Sequence, residues 1–95
     1  MEGNLSEMED VRHYVYIVQC CDGTLYTGYT TDIERRIDEH NKGTGARYTR
    51  SRTPVRLVYV EESSSKGAAL AREYAIKKLS RLEKVKLVKR GGCTG

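Results

Sequence analysis

The chain has 95 residues, which is enough for one small domain and too few for two. It contains no run approaching the ~20 apolar residues of a membrane span, and its acidic N-terminus lacks the basic start of a secretory signal. Its three cysteines, Cys20, Cys21 and Cys93, do not have metal-ligand spacing. We therefore expect a reduced, cytoplasmic protein with no membrane partner.

Charge is distributed unevenly along the chain, whose net charge is +4. The first ten residues hold four of the 13 acidic residues and no basic one, which is typical of a disordered leader. We therefore predict a leader over 1–11, a domain over 12–90 and a flexible tail over 91–95. Lys42–Arg56 contains five bases and no acid, which favours a polyanionic partner; a solvated basic surface is the alternative.

The first predicted elements form a β-hairpin. The segment His13–Cys20 ("HYVYIVQC") and the later "TLYTGYT" are rich in β-branched and aromatic residues, and Asp-Gly lies between them. A two-residue loop would place Tyr16 opposite Tyr29. A three-residue loop ending at a left-handed Gly23 would instead pair Tyr16 with Gly28, and we favour this register. It puts Tyr16 and Tyr26 on one face, because side chains alternate along a strand.

Helices and one further strand follow. Thr31 with Glu34 three residues later predicts a capping box and a helix from about Asp32, ended by glycines at 43 and 45. The segment "ARYTRSRTP" is predicted to be a basic loop, and "VRLVYVE" a third strand. The next helix is capped in a serine run and has apolar Leu70, Tyr74 and Ile76. Ser80 with Glu83 predicts a last helix to about Arg90, buried through Leu82, Val85 and Val88. The order β-β-α-β-α-α is an α+β fold, a small three-stranded antiparallel sheet with flanking helices.

Four features in fixed order resemble the GIY-YIG nuclease domain. "YVY" at Tyr14–Tyr16 and "YTG" at Tyr26–Gly28 lie on consecutive strands, Arg36 follows Tyr26 by ten residues, and Glu73 lies in the later "LAREY" helix. The sequence is most similar to the small stand-alone GIY-YIG proteins. It departs from the family pattern where Tyr14 replaces the first glycine. It also has no asparagine after the Glu73 helix, where many active members have one.

The resemblance implies a metal-dependent endonuclease that hydrolyses DNA phosphodiester bonds, is structure-selective or weakly sequence-specific, and has relatives in DNA repair. It implies that Tyr16 or Tyr26 helps to deprotonate the attacking water. Arg36 would hold the phosphate, and His40 would assist proton transfer. Glu73 would bind one Mg²⁺ or Mn²⁺ ion. The remaining candidate substrate-binding residues are Gly28, Tyr29, Arg35, Arg47, Tyr48, Arg50 and Lys77.

The residue types suit this chemistry on physical grounds. A guanidinium fork matches the spread negative charge of a phosphate, and a carboxylate oxygen is the ligand that Mg²⁺ prefers. A tyrosine, with an ordinary pKa near 10, is a poor base unless cations such as Arg36 lower that pKa. His40 titrates near neutrality and could carry the proton onward. Gly28 would let backbone approach the site.

Each residue also has a purely structural explanation, because tyrosines pack half-buried sheets and Glu73 with Lys77 is an ordinary helical ion pair. The alternative function is a nucleic-acid-binding module without catalysis, or one that depends on a protein partner for targeting. Convergence of Tyr16, Tyr26, Arg36, His40 and Glu73 on one surface is the structural criterion that separates these interpretations.

Overall fold

A computed structural model describes residues 11–91, which form a three-stranded sheet covered by helices. The order of the strands and longer helices is β-β-α-β-α-α, as the sequence predicts, and a single-turn helix lies within the segment predicted as a basic loop. Within residues 11–91, none of the helices is both long and apolar enough to cross a membrane. The elements are β1 His13–Gln19, β2 Leu25–Thr30, α1 Ile33–Asn41, α2 Arg47–Arg50, β3 Arg56–Ser63, α3 Lys66–Lys77 and α4 Arg81–Gly91.

The terminal segments expected from the sequence, 1–11 and 91–95, lie outside the described residues except for Val11 and Gly91. Gly91 is the last residue of α4, one position beyond the predicted end of the domain.

The β1–β2 hairpin fixes the register of the two tyrosine-bearing strands. Gly23 has a φ of +87°, a left-handed conformation that glycine adopts readily, and a backbone hydrogen bond of 2.8 Å closes the loop. Tyr16 pairs with Gly28, and Val18 pairs with Tyr26. The three-residue loop is therefore confirmed, and Tyr16 and Tyr26 lie on the same face of the sheet.

Strand β3 pairs antiparallel with β1, which gives the strand order β2-β1-β3. The pairing contains a β-bulge, since Ile17 faces Tyr59 whereas Val18 faces Leu57. Val58 is the extra residue, and both Val58 and Tyr59 are buried in the same cluster. The bulge thus places two consecutive side chains in one core.

Side-chain caps start three of the helices. The predicted capping box at Thr31 is wrong, because Asp32 is the N-cap: it has an extended conformation, and its side chain accepts from the amide of Arg35 at 3.1 Å. Ser65 caps α3, within the serine run identified in the sequence. Ser80 and Glu83 form a reciprocal capping box, with hydrogen bonds of 3.0 and 3.2 Å, as predicted.

The sheet buries side chains on both faces. The face carrying Val15 and Ile17 packs against Ala69 and Ile76 of α3 and Leu87 of α4. On the opposite face, a second cluster receives side chains from α1; its members are Tyr16, Val18, Cys20 and Val55, with Tyr26, Ile33, Ile37 and Leu57 packed around them.

Three of the apolar positions identified in the last two helices are exposed. Leu82 is 64% exposed, Tyr74 is 63% exposed and Leu70 is 41% exposed. Ala69 and Ile76, seven residues apart, form the buried stripe of α3, and Leu87 is the buried residue of α4. The apolar pattern correctly predicted both helices but misplaced the stripe that faces the sheet.

Candidate active site

A buried tyrosine–histidine pair lies at the centre of the candidate site. Tyr16 from β1 and His40 from the last turn of α1 are both fully buried, and their Oη and Nε2 atoms are 2.8 Å apart. The two rings meet edge to face, with centroids 5.8 Å apart. The hydrogen bond links β1 to α1 across 24 positions of sequence.

Gly28 makes room for the Tyr16 ring. A Cβ atom built on Gly28 would lie only 2.6 Å from Tyr16 Cζ and would also overlap the phenol oxygen. Because Gly28 is paired directly with Tyr16, the missing side chain leaves the space that the phenol occupies. This packing gives Gly28 a structural role, and its expected part in substrate binding stays a prediction.

Arg36 connects the buried pair to the surface. Its Nε donates to Tyr16 Oη at 3.3 Å, and its Nη1 donates to Glu39 Oε1 at 3.0 Å. The Arg36 side chain is 29% exposed, so it extends from the buried phenol towards solvent. A phosphate approaching this guanidinium would compete with the Glu39 carboxylate.

The basic segment after α1 encloses His40. Thr49 Oγ1 lies 2.7 Å from His40 Nδ1 and donates its own hydrogen bond to the Ala46 carbonyl at 3.1 Å. A Cβ on Gly45 would lie 2.5 Å from His40 Nδ1, so glycine is needed there too. The contacts of Thr49 and Gly45 with His40 could not be predicted from the sequence, where Gly45 was expected only to end α1, because they depend on how the segment folds back over that helix.

Burial dominates the protonation of the central pair. It raises the pKa of Tyr16 to about 12, against smaller opposing effects of the Arg36 hydrogen bond and charge. It also lowers the pKa of His40, and the positive charge of Arg36 acts in the same direction. Arg36 therefore acts on the Tyr16 pKa in the expected direction, but burial outweighs it, and Tyr16 is a neutral phenol beside a neutral imidazole at pH 7.

Tyr26 continues the site towards the surface. Its ring meets His40 edge to face at 5.5 Å and stacks on Tyr48 at 5.9 Å with 21° between the planes. Tyr48 is 39% exposed, and the guanidinium of Arg52 lies 4.1 Å from its ring centroid. Lys77 Nζ is 6.0 Å from the Tyr26 ring. Aromatic and basic side chains therefore border the buried pair.

Glu73 reaches the same region from α3. Its carboxylate pairs with Lys77 at 3.1 Å, its side chain is only 17% exposed, and its charge contributes to the raised pKa of Tyr16. Among residues 11–91, no three His, Cys, Asp or Glu side chains are grouped to hold a metal ion. A single carboxylate still suits Mg²⁺, which keeps most of its waters and takes one or two protein carboxylates with substrate phosphates.

The other candidate residues lie around this centre. Tyr29, Arg35 and Arg36 border a cavity of about 220 Å³, and Tyr29 is also hydrogen-bonded to His13 at 2.8 Å. Arg47 and Arg50 are exposed on α2, outside the buried hydrogen-bond chain. The structure thus brings Tyr16, Arg36 and His40 into direct contact, with Tyr26, Lys77 and Glu73 beside them. We call the outer candidates the basic border; they are Arg35, Arg47 and Arg50, with Tyr29 and Tyr48.

The sequence comparison identifies the class of protein to which this fold and site belong. Residues 12–86 match the GIY-YIG catalytic domain, so the chain belongs to the GIY-YIG family, a nuclease family. Within it, the relatives are small stand-alone UPF0213 proteins. One from Natronomonas pharaonis is 60% identical over 76 residues, covering 80% of this chain and 89% of that one. One from Staphylococcus saprophyticus is 58% identical over 80 residues, covering 84% and 98%.

Solved structures of the same group share the fold. The solution structure of a UPF0213 protein from Bacillus halodurans matches with a TM-score of 0.58 and 52% identity, over 87% of this chain and 88% of that chain. A protein from E. faecalis matches with a TM-score of 0.55 and 42% identity, over 82% and 84%. The family and fold predicted from the sequence are therefore confirmed.

Proposed function

We propose that the protein is a metal-dependent endonuclease that hydrolyses DNA phosphodiester bonds with structural selectivity or weak sequence preference. The observation that carries this proposal is the contact of Arg36 with Tyr16 and of Tyr16 with His40. A phosphate-binding group, a hydroxyl and a base are thereby joined in one hydrogen-bonded series. Membership of a nuclease family supports the same function.

Arg36 is the residue we assign to the scissile phosphate. Its guanidinium donates from Nε to Tyr16 and carries a further donor now bound to Glu39. A phosphate would replace the carboxylate as the acceptor and would gain two parallel hydrogen bonds from the fork. Binding at Arg36 therefore places the reacting phosphorus beside the Tyr16 hydroxyl.

Tyr16 and His40 are the residues we assign to proton transfer. The hydroxyl of Tyr16, rather than that of Tyr26, is hydrogen-bonded to the imidazole. Because the phenol keeps its proton at pH 7, it can accept a proton from water only while passing its own to His40. Arg36 helps to enclose the phenol oxygen, and we expect its movement towards phosphate to admit the attacking water.

Glu73 would hold the Mg²⁺ or Mn²⁺ ion that the family implies. The ion would supply positive charge to the phosphate and the leaving oxygen. Lys77 forms an ion pair with this carboxylate, and that ion pair would have to break before a metal ion could bind. Freed from Glu73, Lys77 could pair with a neighbouring DNA phosphate instead.

The basic border would hold nucleic acid without reading its sequence. Lysine and arginine contacts to phosphates give salt-dependent affinity, and exposed aromatic rings stack on bases of any identity. The candidate residues for this contact are Tyr29, Arg35, Arg47, Tyr48, Arg50 and Lys77, whereas Gly28 is buried and could contribute only through its backbone. The free thiols of Cys20 and Cys21 suit action in the reducing cytoplasm.

The alternative is a nucleic-acid-binding module that does not cleave alone and depends on a protein partner. The raised pKa of Tyr16 and the ion pair of Glu73 with Lys77 favour it. The missing asparagine after the Glu73 helix also favours it. Asn41 does not replace that residue, because its side chain is hydrogen-bonded to the Val55 backbone at 2.7 and 3.1 Å.

The deciding experiment is cleavage of labelled duplex, single-stranded, flap and four-way-junction DNA with Mg²⁺ or Mn²⁺. We expect metal-dependent cleavage by the native protein and its loss in Arg36→Ala and Glu73→Ala. The matched controls are Arg12→Ala and Glu62→Ala, which break an exposed ion pair of 2.9 Å and should retain activity. Binding of every substrate without cleavage in either metal would instead establish the binding module.

A further inference from the structure

The buried hydrogen-bond series continues beyond the Tyr16–His40 pair to Thr49. Thr49 and His40 are both fully buried, and the Thr49 hydroxyl joins His40 Nδ1 at 2.7 Å and the Ala46 carbonyl at 3.1 Å. Neither the GIY-YIG motif residues nor the basic border includes Thr49. A buried threonine hydroxyl between an imidazole and a carbonyl has a defined direction, because the carbonyl can only accept.

The hydrogens of this series can be assigned from the donors and acceptors present. Tyr16 Oη contacts His40 Nε2 and the Nε–H of Arg36, and Arg36 can only donate. His40 Nε2 is therefore the acceptor available to the phenol hydrogen, and in the arrangement that uses it Nε2 is the unprotonated nitrogen. Nδ1 then carries the hydrogen and donates to Thr49 Oγ1, whose own hydrogen goes to the Ala46 carbonyl. Each side-chain hydroxyl and ring N–H in this arrangement has an acceptor, whereas the Ala46 amide, 3.5 Å from Nδ1, does not bond to the ring.

The opposite tautomer breaks the series at two points. With a hydrogen on Nε2, the imidazole and the phenol would both present hydrogens across the 2.8 Å contact, and the phenol hydrogen would lose its acceptor. Thr49 would have to turn its hydrogen from the Ala46 carbonyl to His40 Nδ1. In this tautomer His40 Nδ1 would also accept from the Ala46 amide. That contact is 3.5 Å long, the longest in the series, so it does not offset the lost hydrogen bond of the phenol.

From this geometry we infer that Thr49 is a positioning residue that holds His40 in the tautomer whose Nε2 accepts the Tyr16 proton. When His40 takes that proton, Nδ1 still donates to Thr49 Oγ1 and the Ala46 carbonyl still accepts from Thr49. Thr49 therefore makes the same two hydrogen bonds before and after the proton transfer. It acts like the third group that orients the base in a nucleophile–base pair. The catalytic part of this inference rests on the proposed nuclease function, whereas the tautomer does not.

The tautomer can be measured in the intact protein by ¹⁵N NMR of its two histidines, at a pH above the ordinary pKa of histidine. A His13→Gln variant assigns the signals. We expect native His40 to carry its hydrogen on Nδ1, Thr49→Ser to keep that state, and Thr49→Val to lose it. A native His40 protonated on Nε2 would overturn the inference, and so would an unchanged tautomer in Thr49→Val. If Thr49→Val does not fold, the native and Thr49→Ser spectra still decide.

Cleavage kinetics then test whether the tautomer matters for catalysis. We expect Thr49→Val to lower kcat about 10- to 100-fold with KM little changed, and Thr49→Ser to restore most of it. Unchanged kcat in a variant with an altered tautomer would refute the positioning role. If the native protein cleaves no DNA, the nuclease proposal fails, but the NMR result still decides the Thr49–His40 assignment.

Discussion

Tyr16→Phe is expected to make the free energy of unfolding less sensitive to pH between pH 10 and 12. Burial raises the pKa of Tyr16 from 10.0 to about 12, so the folded protein favours the neutral phenol. The contribution of the neutral Tyr16 phenol to the free energy of unfolding is fully present below pH 10. It is lost between pH 10 and 12, because this tyrosine ionises at a lower pH in the unfolded chain than in the folded protein. At ~1.36 kcal/mol per pH unit, the loss amounts to about 3 kcal/mol.

The native protein and Tyr16→Phe would be compared by reversible urea denaturation at a series of pH values. At neutral pH we expect the variant to be less stable by about 1–3 kcal/mol, because His40 Nε2 loses its donor. This difference should shrink or reverse by pH 12. Lysines and other tyrosines titrate equally in both proteins and cancel in the comparison.

The control is Tyr74→Phe, which removes a hydroxyl from a side chain that is 63% exposed. Its stability should follow that of the native protein at every pH. A constant difference between the native protein and Tyr16→Phe from pH 7 to about pH 12 would refute the argument that desolvation controls Tyr16.

Two further predictions concern the neighbours of Tyr16. Gly28→Ala should destabilise the protein by about 1–3 kcal/mol, measured by urea denaturation, because its methyl group would overlap the Tyr16 ring. Glu39→Gln should strengthen binding of labelled duplex DNA about 1.5- to 5-fold, measured by fluorescence anisotropy, because it removes a ~0.2–1 kcal/mol ion pair that competes for Arg36.

Each of these changes has a matched control. Gly67→Ala, at an open position on α3, should be neutral or stabilise the protein by up to ~1 kcal/mol. If Gly67→Ala lowered the free energy of unfolding as much as Gly28→Ala, the contact with Tyr16 would not be the cause. Glu34→Gln removes the same charge from an exposed position on α1. Equal gains in DNA affinity from Glu34→Gln and Glu39→Gln would indicate net charge rather than release of Arg36.

Local sequence rules were enough to predict the framework of the site. Asp-Gly and the alternation of strand residues gave the hairpin register, which fixes Tyr16 opposite Gly28. Ser80 with Glu83 correctly predicted the start of the last helix. These features depend on residues close in sequence, where turn and cap geometry allow few alternatives.

Features that depend on distant residues were predicted less well. One local feature also differs, because Thr31 and Asp32 are adjacent residues that both favour the N-cap position and sequence spacing does not rank them. Leu82 is exposed because the rotation of α4 against the sheet is set by packing. The pKa of Tyr16 depends on how deeply the phenol is enclosed, and that enclosure comes from two glycines and a segment that folds over α1.

The two glycines explain why the site separates into a buried and an exposed part. Gly28 and Gly45 create the space in which Tyr16 and His40 are buried, so the proton transfer that we propose between them would be shielded from salt. Arg36 joins this pair to the surface by a hydrogen bond to Tyr16, and its side chain is partly exposed. Salt should therefore weaken DNA binding strongly while leaving the rate of cleavage of bound DNA nearly unchanged. A single-turnover rate that fell in parallel with affinity would place proton transfer in exposed groups instead.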